Sequence, residues 1–145
     1  MNVIIVENYD EMSKLASINI KDVINKKANV ILGLGTNGHI AFNEPSDFLI
    51  SGTHLANLTQ STINANSRFF NSIDEVPKTA ITMGLGQIMK SKKILLLAHG
   101  ENKAEVIKEV LSGKITTKNP ATMLQMHKNI TIIIDKTIGS LINIL

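Results

Sequence analysis

The residues of this 145-residue chain best placed to do chemistry lie between Gly33 and Pro45, in Gly-Leu-Gly-Thr-Asn-Gly-His-Ile-Ala-Phe-Asn-Glu-Pro. An imidazole, His39, and a carboxylate, Glu44, stand five positions apart in a glycine-rich loop that follows the apolar run Val30-Ile31-Leu32. A carboxylate beside an imidazole orients the ring and holds its pKa near neutrality, where a proton shuttle works best. The glycines let the backbone turn tightly and approach a ligand. Arg68 and Lys103 are the candidates for binding an anion such as phosphate. Lys103 follows the glycine turn at Gly100 and falls in the first turn of an expected helix, where free amides and the helix dipole attract negative charge.

Other chemistries fit less well. His54, His99 and His127 have no short ligand spacing to His39, which disfavours a metal site, and the chain has no cysteine, which removes disulfides, zinc-thiolate sites and thiol nucleophiles. Gly33 to Gly38 matches the G-x-G-x-x-G dinucleotide pattern, but that fingerprint needs a following helix and an acid about 20 residues on. Here Pro45 comes seven residues after Gly38, and Asn57 to Thr59 offers no acid.

Fifteen basic and 12 acidic residues give a net charge of +3 without a block of like charges, the mark of a solvated surface and not of a nucleic-acid face. A mildly positive pocket suits an anionic metabolite. No signal peptide or membrane-length apolar run is evident, so the expected setting is the cytoplasm. The length and a 43% apolar content predict one domain, residues 1–145, with an aliphatic core.

These residues must be held by a scaffold, and the pattern predicts α/β architecture: a Rossmann-like, mostly parallel sheet with helices on both faces. Strands are expected at Asn2 to Val6, Ala28 to Leu34, Thr53 to Leu58, Ala80 to Met83, Lys93 to Ala98 and Ile130 to Ile134. A first helix is capped at Tyr9-Asp10, carries Met12, Leu15, Ile18, Ile20, Val23 and Ile24 on its apolar side, and ends at Lys26-Lys27. Further helices follow: one capped by Thr59 or Ser61 and ending near Phe69-Phe70, then Gly84 to Met89, Glu101 to Leu111 with Gly113 beyond it, and Ala121 to Met126. Ligands of such sheets bind at the carboxyl ends of strands, which points to the loops Gly33 to Pro45, Met83 to Gln87 and His99 to Lys103.

The segment Asn37-Gly38-His39-Ile40-Ala41-Phe42-Asn43-Glu44-Pro45 resembles the signature loop of glucosamine-6-phosphate deaminases. The similarity continues through Ser61 to Phe70, Val76-Pro77, Ala80 to Gly86, Lys92 to Ala98, Lys103-Ala104 and Leu124 to His127. Phosphogluconolactonases share a Gly-His loop, but Phe42-Asn43-Glu44-Pro45 favours the deaminase branch. The resemblance implies conversion of glucosamine 6-phosphate and water to fructose 6-phosphate and ammonium, without metal or organic cofactor. His39 would open the pyranose ring, Glu44 and Asn37 would orient or charge it, and Arg68 and Lys103 would bind the phosphate of a small-molecule sugar phosphate. No nucleic-acid or membrane partner is implied. Some members have an acid where Asn37 stands.

The family is longer. Its members carry a Ser/Thr-Gly phosphate loop and an Asp-Glu-Tyr segment, whose aspartate moves a proton between C2 and C1, ahead of the signature loop. This chain has neither, as if two similar glycine-ended strands had been joined in frame, and is therefore incomplete relative to the family. Impaired turnover is expected, with Asp47 as the nearest substitute acid. Uncovered sheet edges invite self-association into a homo-oligomer. His54 and Ala56 stand where allosteric members place basic residues, so no effector site is expected. The alternative to an impaired enzyme is a non-catalytic remnant with residual sugar-phosphate binding or a structural role.

Overall fold

The computed structural model describes residues 1–24 and 29–144, with side chains at 1–18 and 29–144. Its centre is a four-stranded parallel sheet of β1 (Asn2–Val6), β2 (Asn29–Gly33), β5 (Lys93–Ala98) and β6 (Ile130–Asp135), in the order β1-β6-β5-β2. The registers Ile31 opposite Leu95 and Ile4 opposite Ile133 put these four residues on one face. The continuous apolar runs of β5 and β6 follow from this position: both are central strands covered on two faces.

Helices lie on both sides of this sheet. One face packs Leu32, Ile94, Leu96, Ile132 and Ile134 against α3 (Leu85–Met89), α4 (Ala104–Val110), α5 (Lys136–Leu141) and the 3₁₀ segment Pro120–Met126. The other is covered by α1 (Tyr9–Ile24) through Met12, Leu15 and Ala16, which meet Val6, Leu95 and Ile133. A short antiparallel ribbon, β3 (His54–Asn57) with β4 (Thr79–Thr82), stands apart from the parallel sheet. Between its strands runs α2 (Gln60–Asn66), capped by the Thr59 side chain.

Several expectations require correction. Asn8, not Tyr9 or Asp10, caps α1: its Oδ1 accepts from the Glu11 amide at 3.0 Å. Ile18 is 59% exposed, because Met12, Leu15 and Ala16 define the buried stripe and position 18 turns away from it. Side chains of Ile20, Val23 and Ile24 lie outside the described residues, as do Lys26, Lys27 and Ala28 entirely. The α-helix after Thr59 stops at Asn66 and tightens into a 3₁₀ turn at Ser67–Phe69. Glu101–Lys103 and Pro120–Met126 are likewise 3₁₀. Met83 to Gln87 follows a ribbon strand, so it is not at a carboxyl end of the parallel sheet. Helix α5 was not foreseen; Asp135 caps it, accepting from the Ile138 amide at 2.9 Å.

Candidate active site

The loop after β2 folds back on itself before it delivers His39. Isolated bridges join Leu34 to Ile40 and Ile40 to Asn43, and the Gly35 amide donates to the His39 carbonyl at 2.9 Å. No helix opens after Gly38, where a dinucleotide fingerprint would need one. Gly38 has a φ of 85°, left-handed backbone that glycine adopts without strain, and Ala41 has a φ of 52°. Gly35 is required for a different reason: a Cβ there would collide with the imidazole of His39, which lies directly over it. The loop is stapled to the ribbon by Asn43, whose Nδ2 donates to the carbonyls of Ile40 at 3.0 Å and Met83 at 2.8 Å. The Phe42 amide donates to Thr82 Oγ1.

Three of the expected residues meet in one network. Asn37 Nδ2 donates to Glu44 Oε2 at 2.7 Å, which turns Asn37 Oδ1 toward the ring of His39, 2.7 Å from Nδ1. An acceptor at that distance places the proton on Nδ1 and leaves the Nε2 lone pair free of the network. Glu44 Oε2 also lies 3.4 Å from Nδ1. Burial pushes the pKa of His39 below its ordinary value, with Glu44 opposing the shift and the charge of Lys103 adding to it. Burial raises the pKa of Glu44, but the hydrogen bonds from Thr62 and Asn37 and the neighbouring imidazole outweigh it, so the net shift is downward. At neutral pH the site therefore holds a neutral imidazole and an ionised carboxylate.

Thr62 was not anticipated. Its hydroxyl donates to Glu44 Oε1 at 2.6 Å and lies 3.5 Å from His39 Nδ1, and the residue is buried at the start of α2. The Thr59 amide adds a longer bond to the same carboxylate. A hydroxyl 18 positions from the carboxylate it serves leaves no local spacing signal.

A cavity of about 300 Å³ opens beside the ring, lined by Gly35, His39, Thr62, Asn66 and Lys103 among others. Lys103 stands in the 3₁₀ turn that leads into α4, after Gly100 with a φ of 92°. Its pKa is lowered by burial first and then by the positive charge of Arg68. The two cations lie within electrostatic reach of each other, Lys103 on the cavity wall and Arg68 outside its lining. Arg68 stacks on the exposed Phe69 ring at 4.7 Å. Asp47 does not join this site: 81% exposed, it pairs with Lys118 at 2.6 Å, and that contact lowers its pKa. Among the described residues, no cluster of three or more His, Asp or Glu could hold a metal.

Comparison with known proteins places the chain among relatives. The family model described as glucosamine-6-phosphate isomerases/6-phosphogluconolactonase matches residues 6–133. A glucosamine-6-phosphate deaminase of Clostridium beijerinckii is 56% identical over 137 residues, covering 94% of this chain and 53% of the relative. One from Clostridium perfringens is 62% identical over 112 residues, covering 77% and 46%. A solved monomeric glucosamine-6-phosphate deaminase superposes with a TM-score of 0.75 at 44% identity, over 85% of this chain and 51% of that one. A 6-phosphogluconolactonase from Trypanosoma cruzi, 20% identical with a TM-score of 0.57, shares the fold. The chain thus spans about half the length of the relatives it matches.

Proposed function

The chain belongs to the glucosamine-6-phosphate isomerase and 6-phosphogluconolactonase family, and from that footing we propose that it acts on glucosamine 6-phosphate as a deaminase of reduced power. The observation that carries this reading is a neutral imidazole, held by Asn37 and Glu44, in the same cavity as Lys103. His39 moves the proton that opens the pyranose ring. Glu44 and Asn37 fix the tautomer and steady the imidazolium that forms in passing. Arg68 and Lys103 hold the phosphate. The greater identity to deaminases than to the solved lactonase supports the amino sugar as substrate.

Power is reduced because deamination also needs a base for the C2 proton. No carboxylate is among the described residues lining the cavity. A missing general base costs about 10² to 10⁴ in rate. We place the protein in the cytoplasm, in keeping with its cysteine-free sequence. Among the described residues no helix is long and apolar enough to cross a membrane.

A second reading, a remnant that binds sugar phosphate without turning it over, draws on the same lack of a cavity carboxylate. Incubation with glucosamine 6-phosphate separates the two. Ammonium release above that of a His39→Ala variant supports the deaminase; binding without release supports the remnant.

A further inference from the structure

We propose that this protein has a second activity that needs no amine: it interconverts the α and β anomers of hexose 6-phosphates. The inference rests on the proposed ring-opening role of His39 and goes beyond it in substrate and product.

His39 and Lys103 share the cavity wall, with the Nε2 lone pair free of the network that holds Nδ1. The carboxylate nearest to the ring is not among the cavity's lining residues and is bonded on both oxygens: Glu44 accepts from Thr62 at 2.6 Å, from Asn37 at 2.7 Å and from the Thr59 amide at 3.5 Å. Asp47 is committed to Lys118 on the surface. Ring opening needs a single proton carrier beside the anomeric centre, and this site supplies one. Moving the C2 proton needs a second base, and binding a C2 ammonium selectively needs a free anion. The described cavity wall supplies neither, so a C2 hydroxyl serves as well as an amine.

The step balances without a co-reactant. Nε2 takes the proton from the anomeric hydroxyl, C1=O1 forms as the C1–O5 bond breaks, and Nε2 returns the same proton to O5. After rotation about C1–C2 the reverse steps close the ring on the other face of C1, giving the other anomer. The imidazole ends as it began, and nothing is oxidised or reduced. A phosphate on Lys103 and Arg68 keeps the open chain in the cavity between the two halves of the cycle.

The test is magnetisation-exchange NMR on the two anomers of glucose 6-phosphate at neutral pH. The expected result is exchange at least about 10²-fold faster than in protein-free buffer. Acceleration should vanish for His39→Gln and for unphosphorylated glucose, and Lys103→Met should raise the KM for the phosphate ester. Exchange no faster than buffer with folded protein overturns the inference, as does acceleration that survives in a folded His39→Gln variant. Ammonium assayed in parallel from glucosamine 6-phosphate keeps the two readings apart. Anomer exchange without ammonium supports the second activity and removes the deaminase; ammonium without exchange of glucose 6-phosphate does the reverse.

Discussion

At the scale of single residues, the chemistry depends on how one imidazole is held. His39 lies over Gly35 with no room for a side chain beneath it, so Gly35→Ala must push the ring off Asn37. A displacement of that kind costs about 10²-fold in rate, and steady-state kinetics on the sugar phosphate checks it. The pH dependence follows from the direction of the His39 shift. Because burial lowers its pKa, the neutral, proton-accepting form persists below the ordinary histidine value, and the acid limb of activity lies there. Glu44 opposes that shift, so Glu44→Gln moves the limb to still lower pH. Proton titration of His39 by NMR in both proteins measures the direction without needing turnover. Stability carries the same sign: as pH falls through the ordinary histidine value, the unfolded chain takes up a proton that folded His39 does not, and folding weakens.

At the scale of elements, the site depends on how the loop after β2 is fastened. Asn43 is buried and its Nδ2 bonds the carbonyls of both Ile40 and Met83, so Asn43→Ala removes two side-chain hydrogen bonds and leaves the Phe42 amide to Thr82 bond as the remaining tie between this stretch and the ribbon. We expect a loss of about 1–3 kcal/mol, read from chemical denaturation. Much of this arrangement was legible beforehand. Strand runs such as Lys93 to Ala98, a cap at Thr59 or Ser61, of which the structure uses Thr59, and the pairing of His39 with Glu44 all declare themselves through local pattern. The ribbon's separation from the main sheet did not, because β3 and β4 carry the same apolar residues whichever sheet they join. Thr62 was hidden because its partner is 18 positions away. Asp135 was hidden behind the strand it ends, where one residue both closes β6 and caps α5.

At the scale of the whole molecule, the described sheet has an open side at β2. Strand β2 is an edge with neither lysine nor proline to blunt it, and Ile31 is 42% exposed on the face that α1 covers elsewhere. We therefore expect self-association, seen as a concentration-dependent sedimentation coefficient and reduced by Ile31→Lys; a compact monomer at all concentrations would contradict it. The larger question is whether the site takes up its ligand. Nitrogen-15 NMR of the His39 ring answers that most directly, because it reads both the tautomer and the ligand without requiring turnover. The account predicts a protonated Nδ1 and a bare Nε2 at neutral pH, with Nε2 responding to glucosamine 6-phosphate but not to glucosamine. A ring protonated at Nε2, or one indifferent to the phosphate ester at saturating concentration, would contradict it.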